Sequence, residues 1–241
     1  MCIRDRSYNV SGIVFFPRKY NKNAINLINQ NNIPLVLVDR EMPECQTNFV
    51  RCDDYQGGYI AGKHLLELGH RHFLYLPGPK YNLSQTRRYA GIMDALSEAN
   101  VPASNIREID YHTVFGSSAE STSSYKPYEE LFFPVNYTAV IGFNDLQSYS
   151  AMEILQKKGY RIPEDISLIS FDHLRKTHTY LPPLTSIADN SEKSIADTAV
   201  SILLDKIRNP SSEISSEVLP VSIFDDHTTG PINETFAHSF E

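Results

Sequence analysis

Short β-rich runs alternate with helical patterns along most of this 241-residue chain, and that alternation restricts its fold more than any other feature. Val10–Phe16 reads as a buried strand ended by Pro17, and Pro34–Asp39 as a second; between them Ile25, Leu27 and Ile28 mark a helix over Lys22–Gln30. Gln56–Leu68 is expected to be a helix stopped at Gly69, and His72–Leu76 a strand closed by Pro77-Gly78-Pro79. Tyr89, Ile92, Met93 and Leu96 share one face of a helix expected over Ser84–Ala99. Strand Arg107–Ile109, a helix before Phe133, strand Thr138–Phe143, helix Asp145–Lys158, strand Ile166–Phe171, helix Ser191–Arg208 and strand Glu217–Phe224 complete the series. Strands separated by single helices pair in parallel, with the helices on both faces of the sheet. The fold class is therefore α/β.

Composition narrows what such a fold does. The formal net charge is -7 and the pI about 5.6. Its field repels a phosphate backbone, so these residues alone are not expected to bind DNA. Cys2, Cys45 and Cys52 match neither a zinc ribbon nor a disulfide framework, which favours a reducing cytoplasm. No apolar run reaches the roughly 18 residues of a membrane span. Residues 1–7 lack the apolar stretch of a secretory signal and look extraneous to the fold. Gly116–Ser124 reads as a loop and residues 231–241 as a polar tail.

In open α/β sheets, ligands bind beyond the carboxyl ends of the strands, where helix N-termini converge. The residues expected there are Phe16 after the first strand, Asn82 and Ser84 after His72–Leu76, and Arg88 early in the next helix. Tyr111, Asn144 and Asp172 follow the strands ending at Ile109, Phe143 and Phe171. The set suits a polyhydroxylated ligand: Asp172 accepts from hydroxyls, Arg88 donates a planar fork, Asn144 does both, and Phe16 or Tyr111 covers an apolar sugar face. Each polar residue also has a local reading, with Asn144-Asp145 as a helix cap, Asp172 as a turn residue and Arg88 as a surface charge.

Several motifs in register then point to one family. Gly57-Gly58-Tyr59-Ile60-Ala61-Gly62, Leu68-Gly69-His70-Arg71, Leu76-Pro77-Gly78-Pro79, Arg88-Tyr89-Ala90-Gly91 and Phe143-Asn144-Asp145 occur in that order. Ile162-Pro163-Glu164-Asp165-Ile166 running on to Phe171-Asp172, and Pro182-Pro183-Leu184-Thr185-Ser186-Ile187, follow. From Val10 to about Thr229 the chain resembles the lactose/galactose repressor (LacI/GalR) family. The resemblance implies a periplasmic-binding-protein-like (type I) fold of two doubly wound parallel-sheet subdomains with a ligand cleft between them. It implies subdomains of residues 8–70 with 190–215, and 71–189 with 216–230. It also implies ligand contacts at Arg88, Asn144, Asp172 and Tyr111, with Ser84 as a hydroxyl contact.

The implied function is binding of a small-molecule effector, expected to be a sugar or sugar derivative, by a homodimer with Tyr180 near its interface. Operator DNA would be read only through an N-terminal helix-turn-helix that this sequence does not carry. The first strand and helix of the first subdomain are also expected to be missing, leaving unpaired strand edges and a poorly expressing fragment. Asp189 and Asp226 depart from the family's frequent Gln and Arg. The alternative is a periplasmic or extracellular sugar-binding protein of a transporter or sensor. No cofactor, metal or catalytic group is expected. Asp53 and Asp54 read as turn acids, His64, His70 and His72 as a solvated helix end, and no Gly-x-Ser-x-Gly elbow occurs.

Overall fold

The computed structural model describes residues 10–17, 22–42, 44–79, 82–109 and 128–237. They fall into two units, Met1–Asp53 with Asp189–Val221, and Asp54–Ala188 with Ser222–Glu241.

The first unit holds a four-stranded parallel sheet in the order β1 (Ile13–Phe15), β2 (Leu35–Val38), β3 (Asn48–Cys52), β9 (Ser216–Leu219). β2 is apolar throughout, Leu35-Val36-Leu37-Val38, because both of its faces are covered. Leu35 and Leu37 cluster with Ile25 and Ile28 of α1 (Lys22–Gln30), whereas Val36 and Val38 cluster with Ala199 and Ile202 of α5 (Ile195–Arg208). A capping box between Ser194 and Asp197 starts α5, so the helix begins later than the Ser191 expected. The sheet runs without interruption from β1 to β9, and β1 stands at its edge.

β3 escaped the sequence reading because Asn48 and Arg51 break its apolar pattern. Asn48 is nonetheless buried, donating from Nδ2 to the Leu35 carbonyl (3.1 Å) and accepting from the Ser215 amide (2.8 Å), which joins β3 to both neighbours. The strand expected over Glu217–Phe224 is two strands, β9 in this sheet and β10 (Val221–Phe224) in the other, with Pro220 between them. Proline has no N–H to donate, so the ladder breaks there.

The second unit contains a six-stranded sheet in the order β10, β8 (Ser186–Asp189), β7 (Ser167–Phe171), β6 (Ala139–Gly142), β4 (Phe73–Leu76), β5 (Ile106–Glu108). Leu74, Val140 and Leu168 from its centre pack with Phe132, Tyr137 and Leu155. Its helices among the described residues are α2 (Asp54–Glu67), α3 (Leu83–Glu98) and α4 (Asp145–Lys157), followed by the short α6 (Glu234–Ala237). The helix expected before Phe133 is a 3-10 turn, Tyr128–Phe132. α2 belongs to this unit, not to the first as the resemblance implied, because it lies against α3 with backbones almost touching. A Cβ on Gly58 would overlap the Arg88 carbonyl, and one on Gly91 would overlap the Tyr55 carbonyl. Tyr55 and Tyr59 of α2 then reach across to Asp94 (2.7 Å) and Glu98 (2.6 Å) of α3. Among the described residues no helix is long and apolar enough to cross a membrane.

Candidate functional site

The close α2–α3 packing decides what surrounds Arg88. Asp54 is the first residue of α2, where a carboxylate is favoured by the helix N-terminus. It accepts from Arg88 Nε at 2.8 Å. Both side chains are buried, with 8% of Arg88 and 1% of Asp54 exposed. Arg88 Nη1 donates to the Phe143 carbonyl at 2.6 Å, and Nη2 lies 3.5 Å from Asp172 Oδ1. The rings of Phe143 and Phe171, at the ends of β6 and β7, sit 5.0 and 4.5 Å from the guanidinium carbon. Cation–π attraction and three acceptors thus hold Arg88 in one pose. It is not the surface charge that its sequence context allowed.

Asp172 is the open member of the cluster, with 42% of its side chain exposed. Its φ is +97°, rare for a residue with a Cβ, and His173 follows at +48°. The strained turn is fixed from below. The Asp172 amide donates to the Ile187 carbonyl (3.0 Å) and the His173 amide to Ser186 Oγ (2.9 Å). Asp145, fully buried at the start of α4, accepts from the Leu174 amide (2.7 Å) and from Ser186 Oγ (2.8 Å). Burial raises the Asp145 pKa against the lowering by these donors. His173 also stacks on Phe224, with ring centroids 4.4 Å apart.

The other candidates divide. Asn144 caps α4 by accepting from the Gln147 amide (3.0 Å), and Asn82 caps α3 by accepting from the Ser84 amide (3.0 Å), each through Oδ1. Asn82 and Ser84 are buried next to the start of the helix that carries Arg88. Phe16, in the first unit, is 59% exposed at the end of β1. Tyr111 lies outside the described residues, as does the stretch Gly116–Ser124. The structure therefore brings Arg88 and Asp172 together and adds the Phe143 carbonyl from beside Asn144.

Sequence reasoning missed two carboxylates and one histidine. Asp54 is an ion-pair partner and Asp145 a loop anchor, although both precede helices like ordinary turn or cap acids. His70 is not at a solvated helix end. It is buried, with Nδ1 2.9 Å from Thr138 Oγ1 and Nε2 2.9 and 3.0 Å from Ser167 Oγ and the Gly230 carbonyl. Burial pushes its pKa down to about 4. Among the departures from the family pattern, Asp226 accepts from Arg175 at 2.9 Å, and Asp189 accepts from the Ser191 amide at 2.8 Å. In the first unit, Asp39 stands at the end of β2 with φ +59° beside Arg40. The strand-end rule that selected Phe16 selects it equally. Among the described residues no three His, Cys, Asp or Glu side chains are grouped to hold a metal ion.

Polar side chains thus gather at strand ends around a fixed guanidinium in an α/β fold. The model of the periplasmic binding protein-like domain matches residues 63–229. The chain belongs to that family, in the form of a LacI/GalR effector-binding domain. It is 30% identical over 200 residues to the HTH-type transcriptional repressor PurR of Mannheimia succiniciproducens, covering 82% of this chain and 58% of that protein. It is 32% identical over 215 residues to the Klebsiella pneumoniae repressor PurR, covering 88% and 61%. The chain thus spans about three fifths of the length of these curated relatives. Among solved structures, a LacI family transcriptional regulator from Enterococcus faecium with bound ribose superposes with a TM-score of 0.80 at 25% identity, covering 95% of this chain and 83% of that one. The Lactococcus lactis regulator CcpA superposes at 0.76 with 22% identity, covering 94% and 80%, which shows the shared fold.

Proposed function

We propose that this chain binds a small polyhydroxylated effector, a sugar or sugar derivative, through Arg88 and Asp172, and that it serves as the effector domain of a cytoplasmic transcription regulator acting as a homodimer. One observation carries the ligand reading. A buried guanidinium held by three acceptors stands beside a carboxylate that is nearly half exposed on a strained turn. Strain of this kind persists where the surroundings over-determine it, and ligand clamps are typical places. Asp172 would accept from adjacent hydroxyls while Arg88 donates to ring or hydroxyl oxygens. The bound ribose of the Enterococcus faecium regulator supports the same ligand class. Operator binding would fall to a helix-turn-helix elsewhere in the polypeptide, consistent with the net charge of -7 here. The repressors among the curated relatives favour this reading over a secreted sugar receptor.

A thermal-shift panel of pentoses, hexoses and disaccharides tests it, since ligand bound to the native state stabilises by RT ln(1 + [L]/Kd). At least one sugar should raise the Tm, and Arg88→Ala and Asp172→Ala should each remove the rise. A rise that survives both substitutions would place the ligand elsewhere.

A further inference from the structure

The segment that follows β10 lies across the amino ends of β4 and β7, at the opposite end of the sheet from Asp172. Thr228 is its fixed end. Buried, it accepts at Oγ1 from the Thr185 amide (2.8 Å) and donates to the Leu168 carbonyl (2.7 Å). None of residues 229–237 is buried, and they are held at separate points. The Gly230 amide donates to Ser167 Oγ (3.0 Å), the Ile232 amide to the Leu68 carbonyl (2.9 Å), and Asn233 Nδ2 to the Glu164 carbonyl (3.2 Å). Phe236 meets Tyr160 edge-on at 5.9 Å. Segments with few buried contacts open locally at a small fraction of the global unfolding free energy.

Two histidines also hold this segment. His64 Nε2 stands 2.8 Å from Thr229 Oγ1, and His70 Nε2 stands 3.0 Å from the Gly230 carbonyl and 2.9 Å from Ser167 Oγ. A carbonyl only accepts, so Nε2 of His70 carries the ring proton and Nδ1 is left to accept from Thr138 Oγ1 at 2.9 Å. The ring is therefore uncharged, and it is 2% exposed beneath the segment. A second proton at Nδ1 would displace the Thr138 hydroxyl hydrogen and place a cation away from water. Burial is the largest influence on His70 and lowers its pKa to about 4; among the described residues the Gly230 carbonyl opposes burial, and the charges of His64 and Arg71 reinforce it. Burial lowers the His64 pKa too, against the charges of Asp225 beyond β10 and Glu67 on α2. We infer that residues 229–237 form a pH-sensitive latch: His64 and His70 hold them across the strand ends while both rings are uncharged, and the segment lets go beyond Thr228 in mild acid, before the sheet unfolds. The latched form excludes protons that the released form takes up. It is fully favoured above pH 6.5 and weakens as pH falls towards 4. Asp225 keeps its charge through that window, its own pKa being lowered from 3.8.

The chain contains no tryptophan, so Phe236→Trp in the full chain supplies a single fluorescent reporter on the segment. Its emission should shift to the red with a midpoint between pH 6.5 and 4, while far-ultraviolet circular dichroism keeps its helical signal. Adding His64→Gln and His70→Gln together should abolish the shift over that range, because glutamine can donate to Gly230 and accept from Thr138 without a titrating charge. If the chain with His70→Gln does not fold, His64→Gln alone should make the transition shallower, with one proton fewer taken up on release. A red shift that appears only as the circular dichroism is lost, or no shift at all between pH 6.5 and 4, overturns the inference. So does a transition whose midpoint and steepness the glutamine substitutions leave unchanged.

Discussion

Removal of the Asp54 carboxylate strands the buried Arg88 charge. Breaking a buried ion pair by deleting one partner typically costs about 3–5 kcal/mol. Asp54→Ala should therefore lower the unfolding free energy by that order in a denaturant titration, whereas loss of less than about 1 kcal/mol would mean that solvent reaches the pair. His70 makes a prediction in pH. Its folded pKa is depressed to about 4 from 6.5, so the fold is favoured by the neutral ring. That stability is fully present above pH 6.5 and is lost as pH falls from 6.5 towards 4, up to about 3 kcal/mol at 1.36 kcal/mol per unit. Asp165 and Asp225, whose pKa values are lowered from 3.8, lose their contribution only below that window. His64, also lowered from 6.5 by burial, adds a slope of the same sign, so His70→Gln should reduce the slope between pH 6.5 and 4 in unfolding experiments without abolishing it, and an unchanged slope would exclude His70 as a source. Legibility at this scale followed the strands. Arg88 and Asp172 were readable because each follows an apolar run and a topological rule says what strand ends do. Asp54 and Asp145 were not, because their partners lie 34 and 29 residues away and only packing brings them together.

Packing at the scale of elements turns on two glycines. α2 and α3 approach until Gly58 meets the Arg88 carbonyl and Gly91 meets the Tyr55 carbonyl, and in both cases the obstructing atom belongs to backbone that a rotamer change cannot move. Gly58→Ala or Gly91→Ala should push the helices apart, cost about 1–3 kcal/mol as overpacking does, and weaken ligand binding by shifting Arg88 from Asp54. Gly159, at φ +91° with nothing within 4 Å of an added Cβ, is the control. Alanine there should cost about 1 kcal/mol of backbone strain and leave binding alone. Thermal unfolding and titration of the three variants would separate these outcomes. Most helices were legible from periodicity, but β3 and the division of β9 from β10 were not. Asn48 looks like a loop residue until its two backbone partners are in place, and Pro220 was absorbed into an apolar run instead of being read as a break.

For the molecule as a whole, α5 bears on assembly. It packs Thr198, Ala199 and Ile202 inward yet leaves Val200 and Leu204 more than 40% exposed on the same helix. Val200 and Leu204 lie one turn apart on that outer face, and the proposed homodimer would cover them. Under the proposed homodimer, Leu204→Glu should convert a dimer to a monomer in sedimentation velocity without lowering the Tm of the monomer. A monomeric parent, or a variant that stays dimeric, would remove α5 from the interface. The α/β class was readable from the alternation of elements alone, since single helices between successive apolar strands are the pattern of a parallel sheet. Which unit α2 joins was not, because that depends on contacts between helices and not on their order.

The central claim is that Arg88 and Asp172 hold the effector, and a crystal structure with the sugar that most raises the Tm tests it directly. The account predicts ligand density within hydrogen-bonding distance of Asp172 and Arg88 Nη2, with the Asp54–Arg88 pair intact beneath it. A well-occupied sugar bound without contact to either residue would contradict it.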